Sequence, residues 1–318
     1  MKRSEHAPDG PPSGALFIRA LLQLLGRLPL AARRRAGRTI GLAYAALSRR
    51  ERRMAELQLS VMLEEKKAPV LAREVFAALG QTLFETLNLG PLLARPERFI
   101  DCPRRDLAET VAARGKPVIA LTAHTGNWEL LAAYMVSLGV PLVTVGRQAR
   151  GRHLQHVLAG LRARYGVRTL WRGGREGLRD LVRELQPGKV VAALIDQDTY
   201  VRSECVPFFS LPARTPSGLV DLGKKRGAIF VSAFIFREAG GRYTIHLEEL
   251  DGARSTAQIL TEYNRRLELL LRSYPAQWVW FHKRWRGSAD GRRMSSTEYA
   301  DFLNGMLHDG TSAHSRSA

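Results

Sequence analysis

A histidine and a glutamate, His124 and Glu129, stand five residues apart in the stretch ALTAHTGNWELLA. The apolar run 118–121 before the histidine is typical of a buried strand, and Asn127 is a good N-cap for a helix that begins at Trp128. The turn between strand and helix would let the two ionisable side chains meet. A carboxylate bonded to one ring nitrogen fixes the tautomer and leaves the other nitrogen to accept a proton. We therefore predict that His124 is a general base, which deprotonates a hydroxyl, and that Glu129 orients it.

The turn itself is expected to bind the reacting group. Gly126 permits a tight turn and the close approach of a ligand to the backbone. We assign Gly126 and Asn127 to an oxyanion- and acceptor-binding turn whose backbone N–H groups face the substrate. The alternative is a buried histidine that a local carboxylate satisfies, without chemistry. The strand-end position, the glycine and the asparagine cap together favour the catalytic interpretation.

Short apolar runs alternate with helical patterns from about residue 117 onward. The runs that predict strands are PVIALT, PLVTV, VRTL, VVAALI, AIFVSAFIF and YTIHLEEL. The patterns that predict helices cover 128–138, 152–165, 175–186, 217–226 and 256–273. Apolar strands alternating with helices indicate an α/β fold, with a mainly parallel sheet that helices cover on both faces. Functional sites in such sheets lie beyond the carboxyl ends of the strands, where His124 is found.

Two acidic residues, Asp196 and Asp198, follow the strand VVAALI and should face the same crevice as His124. We expect them to organise the site through hydrogen bonds, and we expect no bound metal. The following stretch is predicted to be an irregular loop. Within it, Phe208 and Phe209 are candidates to line an apolar channel, as is Trp128, and a plain core role for the two phenylalanines is equally consistent with the sequence.

The 318 residues carry a net charge of +19, which favours polyanionic partners such as nucleic acid, anionic lipid or an acidic carrier protein. The two cysteines have no zinc-binding spacing. The first 53 residues hold twelve basic residues against three acidic ones, interleaved with Leu-rich helical runs. We interpret residues 15–60 as basic amphipathic helices that associate with a membrane, the alternative being helices packed on the core. Residues 1–14 and 287–318 are predicted to be flexible ends of a domain over 61–286.

Three ordered blocks resemble one known family. HTGNWE has the H-x4-D/E form of glycerolipid acyltransferases, and its Gly-Asn-Trp interior with a closing Glu is similar to the lipid A biosynthesis (late) acyltransferases. DQDTYVRSECVPFFSLPARTPSG and YPAQWVWFHKRWR are similar to two later blocks of that family. The order and separation of the blocks agree over about 75–286, so this resemblance is far more specific than His124 and Glu129 alone.

The resemblance implies a function and further site residues. The family moves an acyl chain from acyl carrier protein, or from coenzyme A, to a hydroxyl of a glucosamine-based lipid, and it needs no other cofactor. His124 and Glu129 match its catalytic pair. Arg162 matches a family arginine that would hold an acceptor phosphate or the oxyanion, with Arg164 as its neighbour, and Arg147 matches an arginine after the second strand. Gly146 and Gln148 depart from the family pattern, which puts the acceptor contacts of that loop in doubt.

The expected enzyme is therefore a lipid A acyltransferase at the cytoplasmic face of a bacterial inner membrane, without an acyl-enzyme intermediate. Its partners would be an acyl carrier protein or a coenzyme A thioester, an anionic lipid acceptor and the membrane surface, and not nucleic acid. A different membrane glycolipid or phosphoglycolipid acceptor is the first alternative. A basic nucleic-acid-binding protein is the second. It explains the charge but not the ordered blocks. In the Trp-rich block WVWFHKRWR, the tryptophans are expected to have a structural role. Arg284 and Arg286 in the same block are expected to contact lipid headgroups.

Overall fold

The computed structural model describes residues 22–63, 66–147, 152–172 and 174–308, which form an α/β fold. The strands are β1 (Ile100–Asp101), β2 (Val118–Thr122), β3 (Leu142–Arg147), β4 (Arg168–Arg172), β5 (Val190–Leu194), β6 (Ser203–Phe208), β7 (Leu211–Pro216), β8 (Ile229–Arg237) and β9 (Tyr243–Leu250). All except β6 and β7 join one sheet in the order β1-β9-β8-β2-β5-β3-β4.

The helices mostly follow the predicted pattern. They are α1 (Leu30–Leu47), α2 (Arg49–Leu63), α3 (Ala68–Thr86), α4 (Gly90–Leu93), α5 (Pro96–Phe99), α6 (Arg105–Thr110), α7 (Trp128–Ser137), α8 (Arg152–Ala163), α9 (Gly174–Glu184), α10 (Gly218–Lys225), α11 (Thr256–Ser273) and α12 (Ser296–His308), with a 3-10 turn at Ala112–Arg114. Residues 22–27 are also helical. The five helices predicted in the alternating region are present, with ends that differ by at most two residues.

The prediction of a mainly parallel sheet is confirmed. β2, β5, β3, β4 and β8 run parallel to one another, and β9 alone pairs antiparallel with its neighbour β8. The central strands β2 and β5 are apolar on both faces because helices cover both faces of the sheet. Their carboxyl ends lie side by side, so the residues that follow them share one crevice.

The stretch between β5 and α10 is more regular than the sequence predicted. β6 and β7 form an antiparallel hairpin, closed by Phe209 and Ser210, both of which have positive φ. Tight hairpins need such left-handed residues, which are usually glycine or asparagine, so the sequence lacked the usual turn signal. The phenylalanine is fully buried, and the packing of its ring stabilises this unusual backbone conformation.

The prediction of a flexible tail is wrong for residues 287–308. Gly287 and Arg293 form an antiparallel bridge, and α12 follows. The α12 side chain Tyr299 is buried and donates a hydrogen bond of 2.9 Å from its hydroxyl to Gln58 of α2. Because α12 packs on the N-terminal helices, its helical order depends on contacts far away in the chain. Residues 309–318 lie outside the described part, as do residues 1–21, including Arg19 of the predicted amphipathic run.

The arginines of α1 have protein partners that the sequence did not reveal. Arg33 is fully buried and donates to the backbone oxygens of Glu85 and Asn88 at the end of α3, at 3.0 and 2.7 Å. Arg34 pairs with the Glu85 carboxylate at 2.5 Å, and Arg38 pairs with Glu74. The scarcity of acids among the first 53 residues is therefore not evidence for a free basic surface, since α3 supplies both the acids and the helix C-terminus. Among the described helices, none is long and apolar enough to cross a bilayer.

Close contact between α1 and α3 gives a first prediction. Gly41 of α1 lies against the backbone of α3, and a Cβ added there would overlap sterically with the Phe76 carbonyl oxygen. We expect Gly41→Ala to lower the free energy of unfolding by about 1–3 kcal/mol, because neither backbone can move aside easily. Gly305→Ala in α12 is the matched control. A Cβ there meets no described heavy atom within 4 Å, so the helix should gain about 0.5–1 kcal/mol. Urea unfolding checks both variants, and equal effects would contradict the packing argument.

Candidate active site

The turn after β2 is held rigidly by three neighbouring elements. The Asn127 side chain accepts a hydrogen bond of 3.0 Å from the Leu130 N–H and so caps α7, as predicted. Gly126 has φ +49°, and a Cβ there would overlap the Ile235 carbonyl of β8. Its own N–H donates to the Gln277 carbonyl at 3.2 Å. The glycine is thus required by close backbone packing.

These contacts correct the predicted oxyanion turn. The N–H of Gly126 already has a protein acceptor, and Asn127 is fully buried, with its side-chain amide donating to Glu85 at 3.1 Å. Gly126 therefore does not present the backbone donor assigned to it, and Asn127 has no exposed surface from which to reach a substrate. Their role in the structure is to fix the position of the histidine that precedes them.

The carboxylate bonded to His124 is Asp196. Its oxygens lie 2.9 Å from the His124 Nδ1 atom and 3.0 Å from the His124 backbone nitrogen, and the Trp278 indole N–H donates to it at 2.8 Å. Burial by itself raises the pKa of Asp196, but the charge of His124 and these hydrogen bonds outweigh burial and lower that pKa to about 2. An ionised carboxylate only accepts hydrogen bonds, so Nδ1 carries a proton, and Nε2 is the nitrogen through which the ring can gain or lose its second proton.

The prediction that Glu129 orients the histidine is therefore wrong. Glu129 instead forms a two-point ion pair with Arg162, at 2.8 Å to Nε and 2.6 Å to Nη2. The guanidinium also donates to the Thr169 hydroxyl at 3.2 Å. Three of its five N–H groups are thereby directed to protein, and two remain. The pair fixes a cation at the wall of the crevice.

The parallel register explains why Asp196 reaches the histidine. Thr122 and Leu194 are register partners on β2 and β5, and His124 and Asp196 each lie two residues beyond that pair. Equal offset past adjacent parallel strands brings the two side chains together. This signal was present in the sequence, but using it required knowing that β2 and β5 are neighbours.

The crevice opens into a cavity of about 1210 Å³. His124, whose side chain is 27% exposed, lines it together with Trp128, Glu129, Arg162 and Asp198. The indole of Trp128 meets the imidazole edge-on, with ring centroids 5.1 Å apart. The prediction that Asp198 faces the same crevice as His124 agrees with this lining, whereas Asp196 is fully buried and does not line the cavity. The remaining walls are mainly apolar.

Asp198 lines the cavity, unlike Asp196, and has a different environment. Its buried carboxylate faces Arg293 at 2.9 Å and Arg214 at 3.8 Å, and burial raises its pKa in spite of these cations. Its backbone N–H donates to the His282 ring at 3.0 Å. Burial lowers the pKa of His282 to about 4, so this second histidine is neutral at physiological pH.

The other predicted site residues do not line the cavity as expected. Phe208 and Phe209 are fully buried and pack on the aromatic cluster of Trp278, Trp280 and Trp285, so they belong to the core and not to a channel. The predicted structural role of Trp278 and Trp280 agrees with their burial. Because these rings are tightly packed, they present no free surface to the cavity.

Two of the four other predicted arginines, Arg164 and Arg284, also differ from expectation. Arg164 is exposed, with its guanidinium over the Tyr165 ring at 5.8 Å, and it does not line the cavity. Arg284 is fully buried and donates to Thr215 at 2.7 Å, which excludes the predicted headgroup contact. Arg286 does line the cavity. Arg147 ends β3, and its side chain lies outside the described part of the structure.

A buried network that the sequence did not reveal supports the turn. The carboxylate of Glu85 is fully buried and contacts Arg34, Arg237 at 3.0 Å, the Tyr243 hydroxyl and the amide of Asn127. Burial alone raises the pKa of Glu85, but the charges of Arg237 and Arg34 and the Tyr243 hydrogen bond outweigh burial and lower it. The network links α1, α3, β8 and β9 to the cap of α7.

Comparison with known proteins gives consistent matches. A family model described as bacterial lipid A biosynthesis acyltransferase matches residues 13–287. Lipid A biosynthesis acyltransferase 2 of Shigella flexneri is 24% identical over 256 residues, which cover 77% of this chain and 80% of that protein. Phosphatidylinositol mannoside acyltransferase of Mycolicibacterium smegmatis is 23% identical over 174 residues, 54% of this chain and 57% of that protein. Its Mycobacterium tuberculosis counterpart is 24% identical over 216 residues, 67% and 66% of the two chains.

The buried network generates a stability prediction. We expect Glu85→Gln to lower the free energy of unfolding at pH 7 by about 3–5 kcal/mol, because it leaves Arg237 buried without a counter-charge. Since the pKa of Glu85 is lowered in the folded state, the wild-type advantage is full above the unfolded Glu pKa of about 4.3 and disappears as pH falls through the folded value.

The matched control for this prediction is Glu74→Gln. Glu74 lies on the same helix and also pairs with an arginine of α1, but both partners are partly exposed. Its substitution should cost about 1 kcal/mol or less. Urea unfolding at pH 7 and at several pH values below about 4.3, where the wild-type advantage should disappear, measures both variants. Equal and pH-independent losses would show that Glu85 does not act as a buried charge.

Proposed function

The chain belongs to the bacterial lipid A biosynthesis acyltransferase family and is a lipid acyltransferase, and from this premise we propose that it transfers a fatty acyl chain from a thioester to a hydroxyl of a lipid A precursor. The observation that carries the proposed mechanism is the His124–Asp196 hydrogen bond at the mouth of an apolar cavity. The donor is an acyl carrier protein thioester or its coenzyme A equivalent, and no other cofactor takes part.

In the proposed reaction His124 Nε2 takes the proton of the acceptor hydroxyl while Nδ1–H donates to Asp196, which stabilises the imidazolium. The alcohol oxygen attacks the thioester carbonyl, forming the ester C–O bond. The C–S bond then breaks, and the imidazolium returns its proton to the leaving thiolate. The enzyme is not acylated, because the base activates the acceptor directly.

Arg162 is the proposed cation for the negative charge that develops in this reaction or for an acceptor phosphate. Its two remaining N–H groups can bind an oxyanion, since Glu129 and Thr169 hold the other three. Glu129 is thus a positioning residue for Arg162. This assignment replaces the backbone N–H of Gly126, which is bonded to Gln277.

The proposed acyl site is an apolar slot between the sheet and α7, here called the front lobe. Its lining includes Ala120, Leu131, Met135 and Ala192, and Val111 lies at its inner end. The slot runs along β2 from the site to the first residue of that strand, a depth of about 13 Å at roughly 3.3 Å per residue. A hydrocarbon chain can lie along it with the carbonyl carbon beside His124.

Membrane association is proposed from the exposed surface of α1. Ile40, Tyr44 and Leu47 follow a helical i, i+4, i+7 stripe and are 53%, 51% and 84% exposed. Arg50, just beyond the end of α1, is also exposed. An apolar stripe followed by an exposed arginine suits an anionic lipid surface, which for a lipid A precursor would be the cytoplasmic face of the inner membrane.

Two candidate functions differ in the lipid that accepts the acyl chain. Relatives named phosphatidylinositol mannoside acyltransferase match with similar identity to the lipid A relative, so a phosphoglycolipid acceptor is the alternative. Mass spectrometry of lipids from cells with and without the gene tests the choice. Loss of one acyl chain from lipid A supports the proposal, loss from another glycolipid supports the alternative, and no change in any acylated lipid overturns both.

Activity of three variants tests the mechanism. We expect His124→Ala to abolish transfer and Asp196→Asn to lower kcat by about 10²–10⁴-fold, since general-base catalysis contributes about that much. Glu129→Gln should retain the base and mainly raise KM for the acceptor, because only the Arg162 pair is weakened. Steady-state kinetics with circular dichroism as a folding control measure these effects. A Glu129→Gln variant as inactive as His124→Ala, with Asp196→Asn near wild type, would overturn the assignment.

Donor chain length tests the front lobe. Ala192 lies midway along the slot, so Ala192→Phe should shift the preferred donor to chains several carbons shorter. Its neighbour Ala193 faces the opposite side of the sheet, and Ala193→Phe is the matched control, for which the preferred donor length should not change. Competition between thioesters of different lengths measures the preference. The same shift in both variants would contradict the proposed slot.

A further inference from the structure

The cavity at the site extends along both faces of the sheet. Successive residues of β5 point to opposite faces, and Ala192 and Ala193 both line the cavity. Ala192 packs with the core beneath α7, whereas Ala193 packs with the other core, beneath α9 and α10. The open space therefore passes over the strand ends at His124 and descends on both sides.

The second part of the cavity, here called the back lobe, is as apolar as the front lobe. Its walls are side chains of β3, β4, α9 and α10: Val145, Leu170, Leu181, Leu219 and Leu222. Each is only partly buried by protein. When a hydrocarbon covers such an apolar wall, binding is favoured by about 25 cal/mol for each Å² of apolar surface removed from water. The back lobe also opens at the surface, where its wall residue Leu178 is 58% exposed.

The size of the cavity suits two chains. A single small ligand fills roughly 300–1000 Å³, and the cavity measures about 1210 Å³. The rim of the back lobe carries Lys225, which is exposed, and Arg202, which pairs with Asp221 at 2.9 Å. Asp221 offsets the charge of Arg202, so Lys225 is the cation beside this apolar wall that suits an amphiphile with an anionic head.

We propose that the back lobe binds a hydrocarbon chain of the acceptor lipid, an anionic amphiphile, while the front lobe holds the acyl chain of the donor. The inference rests on the proposed function for the identity of the two chains. The two lobes enter the site from opposite faces of the sheet and meet at His124. This arrangement brings the acceptor hydroxyl to the thioester without placing both chains in one groove.

Binding stoichiometry tests the proposal without requiring turnover. Isothermal titration with dodecyl phosphate, kept below its micelle concentration, should show two bound molecules per wild-type chain. Ala192→Phe should shorten the front slot to less than a dodecyl chain needs, and Ala193→Phe should block the back lobe, so each variant should bind one molecule. The two substitutions are neighbours on one strand, so a general loss of folding would affect both, and circular dichroism detects it. If Ala193→Phe fails to fold, Leu222→Lys serves instead, because this partly exposed position places a charge in the back lobe.

Kinetics assign the two chains. In Ala193→Phe or Leu222→Lys, KM for a two-tailed acceptor should rise at least tenfold, and KM for the acyl donor should stay within twofold. A single bound molecule in the wild type, or a back-lobe variant that still binds two, overturns the proposal. Two bound chains in a protein without transfer activity would leave the back lobe as a lipid site and reject the proposed function. Transfer activity with only one bound chain would support the proposed function and reject the back lobe as a lipid site.

Discussion

The carboxylate of Asp196 has no exposed surface, and three donors converge on it: the His124 ring, the His124 backbone and the Trp278 indole. A buried charge persists only where such donors replace water. In return, the carboxylate fixes both the position and the tautomer of the histidine. The packing of the Trp-rich block, the register of β2 with β5 and the turn at Gly126 all serve to keep these groups in contact.

Two further buried carboxylates, Glu129 and Glu85, are also stabilised by partners that replace water, and each supports a different part of the site. Glu129 is neutralised by Arg162 and fixes a cation at the cavity wall. Glu85 is neutralised by Arg34 and Arg237 and supports the amide of Asn127. Because one of these arginines belongs to α1, the basic N-terminal helices are part of the scaffold that holds the turn carrying His124. Their exposed apolar stripe remains available for a lipid surface.

The cavity has lining residues on both faces of the sheet and includes His124 at the strand ends. A reaction between two amphiphiles requires that two long apolar chains be kept out of water while their polar ends meet. A parallel sheet with helices on both faces offers such an arrangement, since the carboxyl edge is the common end of both faces. Under the proposed function, the acyl donor and the lipid acceptor would approach His124 from opposite sides.

Local patterns in the sequence determined the alternation of strands and helices, the cap at Asn127 and the location of His124 at a strand end, since each depends on residues within a few positions of one another. The ordered motif blocks also identified the family. Tertiary structure alone decided which acid contacts His124, because Asp196 reaches it through the pairing of strands that are 72 residues apart in sequence. It likewise decided that Phe208, Phe209 and Arg284 are core residues and that 287–308 is ordered. Burial and ion pairing depend on the packing of distant elements, which periodicity does not encode.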